Sequence, residues 1–74
     1  MASVTGRQMI KVLERQGFHV ARIVGSHHMM RKAGHSTIVP VPVHGRQPLA
    51  AGTLASILRQ AGISKKQLLN LLGR

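Results

Sequence analysis

His19-Val20-Ala21-Arg22-Ile23-Val24, then Gly25-Ser26, then His27-His28-Met29-Met30-Arg31-Lys32, is the stretch on which the fold turns. Two short runs joined by a glycine–serine pair read as two strands, His19–Val24 and His27–Lys32, and a tight turn. Lys32-Ala33-Gly34-His35 reads as the next turn. A third run, Thr37–Val43, is rich in β-branched residues. Pro40 and Pro42 argue against a central strand, because proline donates no N–H to a ladder. They stand two residues apart, however, so both missing donors point to one side. The other side keeps its ladder. The third run is therefore expected to be an edge strand, with its prolines discouraging further pairing.

Helical signals flank these strands. Thr5 and Gln8 form a capping box, and Val4 before the cap is placed to pack on Met9 as a hydrophobic staple. Met9, Ile10 and Leu13 make a narrow apolar stripe, and Gly17 is a stop, because a left-handed C′ position carries no Cβ penalty for glycine. Phe18 then falls where the chain folds back onto Leu13. The first helix is expected at about residues 6–16. After a loop over Gly45–Ala51, a second helix begins near Gly52-Thr53. Its Leu54, Ile57, Leu58 and Ala61 recur at helical spacing as far as Gly62. Ser64 and Gln67 form a second capping box, with Ile63 and Leu68 as its staple. The short third helix carries Leu68, Leu69, Leu71 and Leu72, which need burial against the domain or a partner. The order is helix, three antiparallel strands, helix, short helix. It is an α+β arrangement, α-β-β-β-α with a short extra C-terminal helix, and it matches the order of the double-stranded-RNA-binding domain. One domain is expected over residues 1–74.

Composition narrows the partner. Lys plus Arg total 11 against a single acid, Glu14, and the net charge is +10 on 74 residues. Such a field implies a negative partner: nucleic acid, an anionic membrane or an acidic protein. No apolar run approaches the ~18 residues of a membrane span, and no leader-like segment is evident. With no cysteine there is neither a disulfide framework nor a thiolate metal site, which fits a reducing cytoplasm. Phe18 is the only residue among Phe, Trp and Tyr, so a stacking platform for single strands is absent.

Histidine is the side chain whose ordinary pKa, about 6.5, allows proton transfer in both directions near neutrality. His27 follows a glycine turn at a strand start. If the second and third strands form a hairpin turning near Gly34-His35, paired residue numbers sum to about 69 and His27 faces about position 42. His44 then lies diagonally close, roughly 7–8 Å away along the backbones. His44 would serve as general acid or phosphate contact, or else only orient the loop that follows. His28 points to the opposite face from His27 by strand alternation and reads as structural. His19 and His35 read as solvated. With one acid and no thiol, no metal site and no cofactor are expected.

Several of these pieces resemble one family. Gly17-Phe18 closes the first helix, and Arg22 precedes Gly25-Ser26-His27. Val41-Pro42-Val43-His44, Gly52-Thr53-Leu54 and Ile57-Leu58 follow in order. The combination is similar to the HicA family of bacterial toxins from type II toxin–antitoxin pairs, over about Thr5 to Leu72. The resemblance implies a double-stranded-RNA-binding-like fold and a ribonuclease that cleaves messenger RNA without the ribosome. It implies one essential histidine, here His27, and a cognate HicB antitoxin. One departure is Met29-Met30, where relatives often carry an aromatic residue; methionine fills the same kind of core gap.

On this reading His27 is the catalytic residue, with Ser26 and His44 in possible support. Arg22, Arg31, Lys32, Arg46, Lys65 and Lys66 are the RNA-binding candidates. The alternatives are a non-catalytic double-stranded-RNA-binding module, which would not need His27, and a DNA-binding regulator. The latter would read bases with only Ser56, Arg59 and Gln60 on the outward side of the second helix, a thin set.

Overall fold

The structure, a computed structural model, describes residues 3–74; Met1 and Ala2, part of the expected domain span, lie outside the described residues. Its elements run α1 (Gly6–Arg15), β1 (His19–Val24), β2 (His27–Arg31), β3 (Val39–Pro42), α2 (Ala51–Ala61) and α3 (Lys65–Leu71). The sheet is antiparallel in the order β1-β2-β3, so the expected α-β-β-β-α order with its extra helix is met.

The capping boxes form as their sequences require. The Gln8 N–H donates to Thr5 Oγ1 at 3.2 Å and the Thr5 N–H to Gln8 Oε1 at 2.9 Å. Ser64 and Gln67 repeat the pair at the start of α3. Val4 and Met9 are both buried, as a staple requires. At the far end of α1, Gly17 adopts φ 94°. There the Phe18 N–H donates to the Leu13 carbonyl and the Gly17 N–H to the Glu14 carbonyl, each at 3.0 Å. This is a Schellman closure, and it drives Phe18 into the core at 4% exposure.

Register decides which side chains meet the helices. His27 pairs with Pro42, His28 with Val41, Met29 with Pro40 and Met30 with Val39. Across the other ladder, Val20 pairs with Met30, Arg22 with Met29, Ile23 with His28 and Val24 with His27, with a bulge between Val20 and Arg22. Directly paired residues share a face. Val20, Met30, Val39 and Val41 therefore share the inner face, and the last three are fully buried. They pack with Met9, Val12 and Leu13 of α1 and Leu54, Ile57 and Leu58 of α2. The outer face carries His19, Arg22, Val24, His27, Met29, Arg31, Pro40 and Pro42. Met30 thus fills the expected core gap, while Met29 lies half-buried on the other side.

Boundaries differ from expectation where pairing runs out. The third strand, expected from Thr37, begins at Val39. The chain turns after Arg31, with the His35 N–H donating to the Lys32 carbonyl, and the ladder with β2 ends at Met30 and Val39, leaving Thr37 and Ile38 outside it. The first helix ends at Arg15 with Gln16 as its cap, and the second begins at Ala51. Of the leucines expected in the third helix, Leu68 is fully buried, while Leu69, Leu71 and Leu72, the last as the cap of α3, are half-buried. His35 is not solvated. Its Nε2–H donates to the Gln60 carbonyl at 2.8 Å, and its ring meets Phe18 edge-on at 5.2 Å. The β2–β3 connection is thereby tied to the end of α2. Among the described residues, no helix is long and apolar enough to cross a membrane.

Candidate active site

The hairpin turn that delivers His27 is two residues long, Gly25-Ser26, between the paired Val24 and His27. Gly25 has φ 59° and, among the described residues, no non-glycine residue, Ser26 included, has positive φ, the pattern of a type II′ turn, whose first position favours glycine. His27 is the first residue of β2, on the outer face, and it is exposed. It lines a cleft of about 380 Å³ whose other walls are Pro40 and Pro42 of β3 and Gly52, Thr53, Ser56, Ile57 and Gln60 of α2.

Ser26 and His44 come to the same end of the sheet. The Val43 N–H donates to the Ser26 carbonyl at 2.8 Å, which extends the ladder past β3. Ser26 Oγ lies 3.5 Å from His44 Nε2, at the outer limit of a hydrogen bond. His44 lines a neighbouring cleft with Gln47, Leu49 and Ala50. Pro42 and Thr53 belong to both clefts. Through Thr53 the start of α2 borders both clefts. Its cap residue is Ala50, and among the described residues no side chain caps it. The first-turn N–H groups, at the positive end of the helix dipole, thus receive no side-chain cap, and Gly52 and Thr53 of that turn line the cleft.

Two of the expected RNA-binding residues share His27's surface. Arg22 and Arg31 are exposed on the outer face. Arg46 is exposed in the turn just after His44. Lys32 is exposed too, with its Nζ 5.6 Å from the centroid of the Phe18 ring, a cation–π contact. Lys65 and Lys66 are exposed in the first turn of α3 and line neither cleft. His28, on the inner face, lines a different cleft with Arg7, Gln8, Ile10, Lys11 and Glu14 of α1. Among the described residues its Nδ1 is buried without a hydrogen-bond partner.

Sequence reasoning took Ser56 and Gln60 only as outward polar groups and gave Thr53 no role. Their signal was the complement of the apolar stripe. Thr53, Ser56 and Gln60 recur at helical spacing on the side away from Leu54, Leu58 and Ala61. That side of α2 faces His27. Among the described residues, no three histidine or acidic side chains stand close enough to hold a metal ion. What the site offers is an exposed imidazole, a second imidazole with a hydroxyl, and arginines on a shared surface. That is equipment for acid–base chemistry on an anion.

No curated protein matches this chain. The family model described as "HicA toxin of bacterial toxin-antitoxin" matches residues 6–63, from the first residue of α1 to just past Gly62, and so takes in His27, His44 and the polar side of α2. A match over most of the chain, on a fold with the expected element order, makes this protein a member of the HicA family of bacterial toxin–antitoxin toxins.

Proposed function

We propose that this toxin is a metal-independent endoribonuclease that cleaves messenger RNA, with His27 as general acid/base, and that a HicB-like antitoxin restrains it. The observation that carries the reading is the setting of His27. It is exposed in a cleft between β3 and α2, on the sheet face that holds Arg22 and Arg31, in a chain of net charge +10.

In the proposed reaction, His27 takes the proton of a ribose 2′-hydroxyl. The 2′-oxygen attacks the adjacent phosphorus, the bond from phosphorus to the 5′-oxygen breaks, and a 2′,3′-cyclic phosphate remains. The departing 5′-oxygen takes a proton, and His44 beside Ser26 is the group placed to give it. Arg22 and Arg31 hold flanking phosphates, with Arg46 near the exit of β3. With Phe18 buried in the core, no Phe, Tyr or Trp ring is left on the surface to stack a base. Selection of the cut site then follows backbone geometry more than base identity.

Positioned acid–base groups contribute about 10²–10⁴-fold to such steps. Incubating a labelled transcript with the wild-type chain and with His27→Ala tests the assignment. His27 is exposed at a strand start, so the variant should fold and melt within about 0.5 kcal/mol of wild type. Its cleavage rate should fall by about 10²-fold or more, with loss of growth inhibition. Undiminished cleavage by a folded His27→Ala chain would remove His27 from the mechanism. RNA binding without cleavage by the wild-type chain would favour the non-catalytic module.

A further inference from the structure

The sheet has two edges, and they are treated differently. Val43 donates its N–H to the Ser26 carbonyl. By the alternation of an antiparallel ladder, Val41 and Val39 also face β2, and the nitrogens of Pro40 and Pro42 face outward. That edge has no free donor there and resists an added strand. The same alternation makes His27, Met29 and Arg31 face β1. Arg22 and Val24 therefore face β2, and the backbone N–H and C=O of Ile23 face out from β1.

The outer edge of β1 is open. Among the described residues no strand pairs with it. The bulge between Val20 and Arg22 interrupts only its first half. At its second half, Ile23 is 57% and Val24 52% exposed, two of the three large apolar side chains exposed among the described residues. Ile23 is also the cross-strand partner of His28, on the inner face. There His28 and its unpartnered Nδ1 line the α1 cleft with Ile10, Arg7 and Lys11. An open edge, adjacent apolar side chains on both faces and an orphaned buried nitrogen next to them occur together at one place.

We propose that this half of β1 is where the antitoxin docks, by adding an extended segment to the sheet; the inference rests on the restrained-toxin reading above. The segment's backbone pairs with Ile23. Its inward side chains are apolar, against Ile23 and Ile10, and its outward side chains are acidic, against Arg22. Charge excludes a second copy of this chain. Self-pairing would join two molecules of +10 and bring Arg22 close to its own symmetry mate, and like charges across a ladder repel. Main-chain pairing supplies affinity and the alternating side chains supply selectivity. The carboxylates would occupy the arginine surface that RNA phosphates need, so docking and RNA binding would exclude each other.

The probe is the product of the reading frame adjacent to this toxin's gene, purified and titrated against wild type, Ile23→Pro and Ile23→Lys. The proline removes the outward N–H and leaves the bonds of Arg22 and Val24 to β2. The lysine keeps the N–H and guards against a misfolded proline variant. Both variants should still cleave RNA and arrest growth, while antitoxin affinity falls by about tenfold or more and rescue is lost. The Ile23 amide should exchange freely in the isolated chain and become protected in the complex. Wild-type affinity in both variants, or an Ile23 amide that still exchanges freely in the complex, overturns the proposal. So does a homodimer of the isolated chain that either variant dissolves. If the wild-type chain neither cleaves RNA nor arrests growth, the ribonuclease reading fails, while affinity and exchange still decide the docking site.

Discussion

Replacing Gly6 by alanine should destabilise this protein, although helix propensity points the other way. Alanine is favoured over glycine in a helix by about 0.8–1.0 kcal/mol. Gly6, however, is the buried first residue of α1. A Cβ there would press into the Pro42 carbonyl oxygen, well inside van der Waals contact, and would stand 3.1 Å from Val43 Cγ2. The oxygen is backbone and cannot rotate aside. Its strand is held on one side by the Val43 N–H to the Ser26 carbonyl at 2.8 Å. The chain entering α1 is held on the other by the Leu49 N–H to the Val4 carbonyl at 2.7 Å. Overpacking of this kind costs about 1–3 kcal/mol. A clash with backbone that cannot yield falls in the upper part of that range, about 2–3 kcal/mol, so the net loss should be about 1–2 kcal/mol, or roughly 5–15 °C in Tm for a domain of this size, read by thermal circular dichroism. RNA cleavage should fall as well, because Pro42 faces His27 and His44 follows two residues later. Gly52→Ala is the control. Nothing lies within 4 Å of its added Cβ, so the same substitution should leave Tm unchanged or raise it. A Gly6→Ala protein that melts at or above the wild-type temperature would refute the close-approach argument.

Other expectations follow from single contacts. His35→Ala removes the bond to the Gln60 carbonyl and the edge contact with Phe18, a loss of about 1–3 kcal/mol measurable by urea titration, with the cleavage rate of the folded protein unchanged. RNA affinity should fall steeply with salt, and Arg22→Ala or Arg31→Ala should each reduce the slope of log affinity against log salt by about 0.7; an unaltered slope would remove that arginine from the RNA surface. Cleavage should persist in excess EDTA, since the described histidines and Glu14 form no three-donor cluster. Activity lost to chelation and restored by one divalent ion would overturn the metal-independent reaction.

Much of the fold was legible in the sequence because its signals are local. A capping box needs residues three apart, and a Schellman closure needs a glycine after an apolar stripe. Thr5–Gln8, Ser64–Gln67 and Gly17-Phe18 formed as read. The pairing of His27 with Pro42 was legible to within a residue or so, since a turn near Gly34-His35 sets the approximate register. So was the exposed edge at Pro40 and Pro42. What the sequence could not supply was contact between segments far apart in the chain. Gly6 looks like a weak helix residue until α1 is seen against the end of β3. His35 reads as a loop histidine until the end of α2 presents the Gln60 carbonyl to it. Thr53, Ser56 and Gln60 are merely the polar side of an amphipathic helix until packing of its apolar side turns them toward His27. Lys32 was one more positive charge until Phe18 came within its reach. Local chemistry determined which elements form and where they stop, because a hydrogen bond between near neighbours needs no knowledge of the rest. Only the packed structure decided which faces meet, because burial couples every apolar stripe to all the others at once.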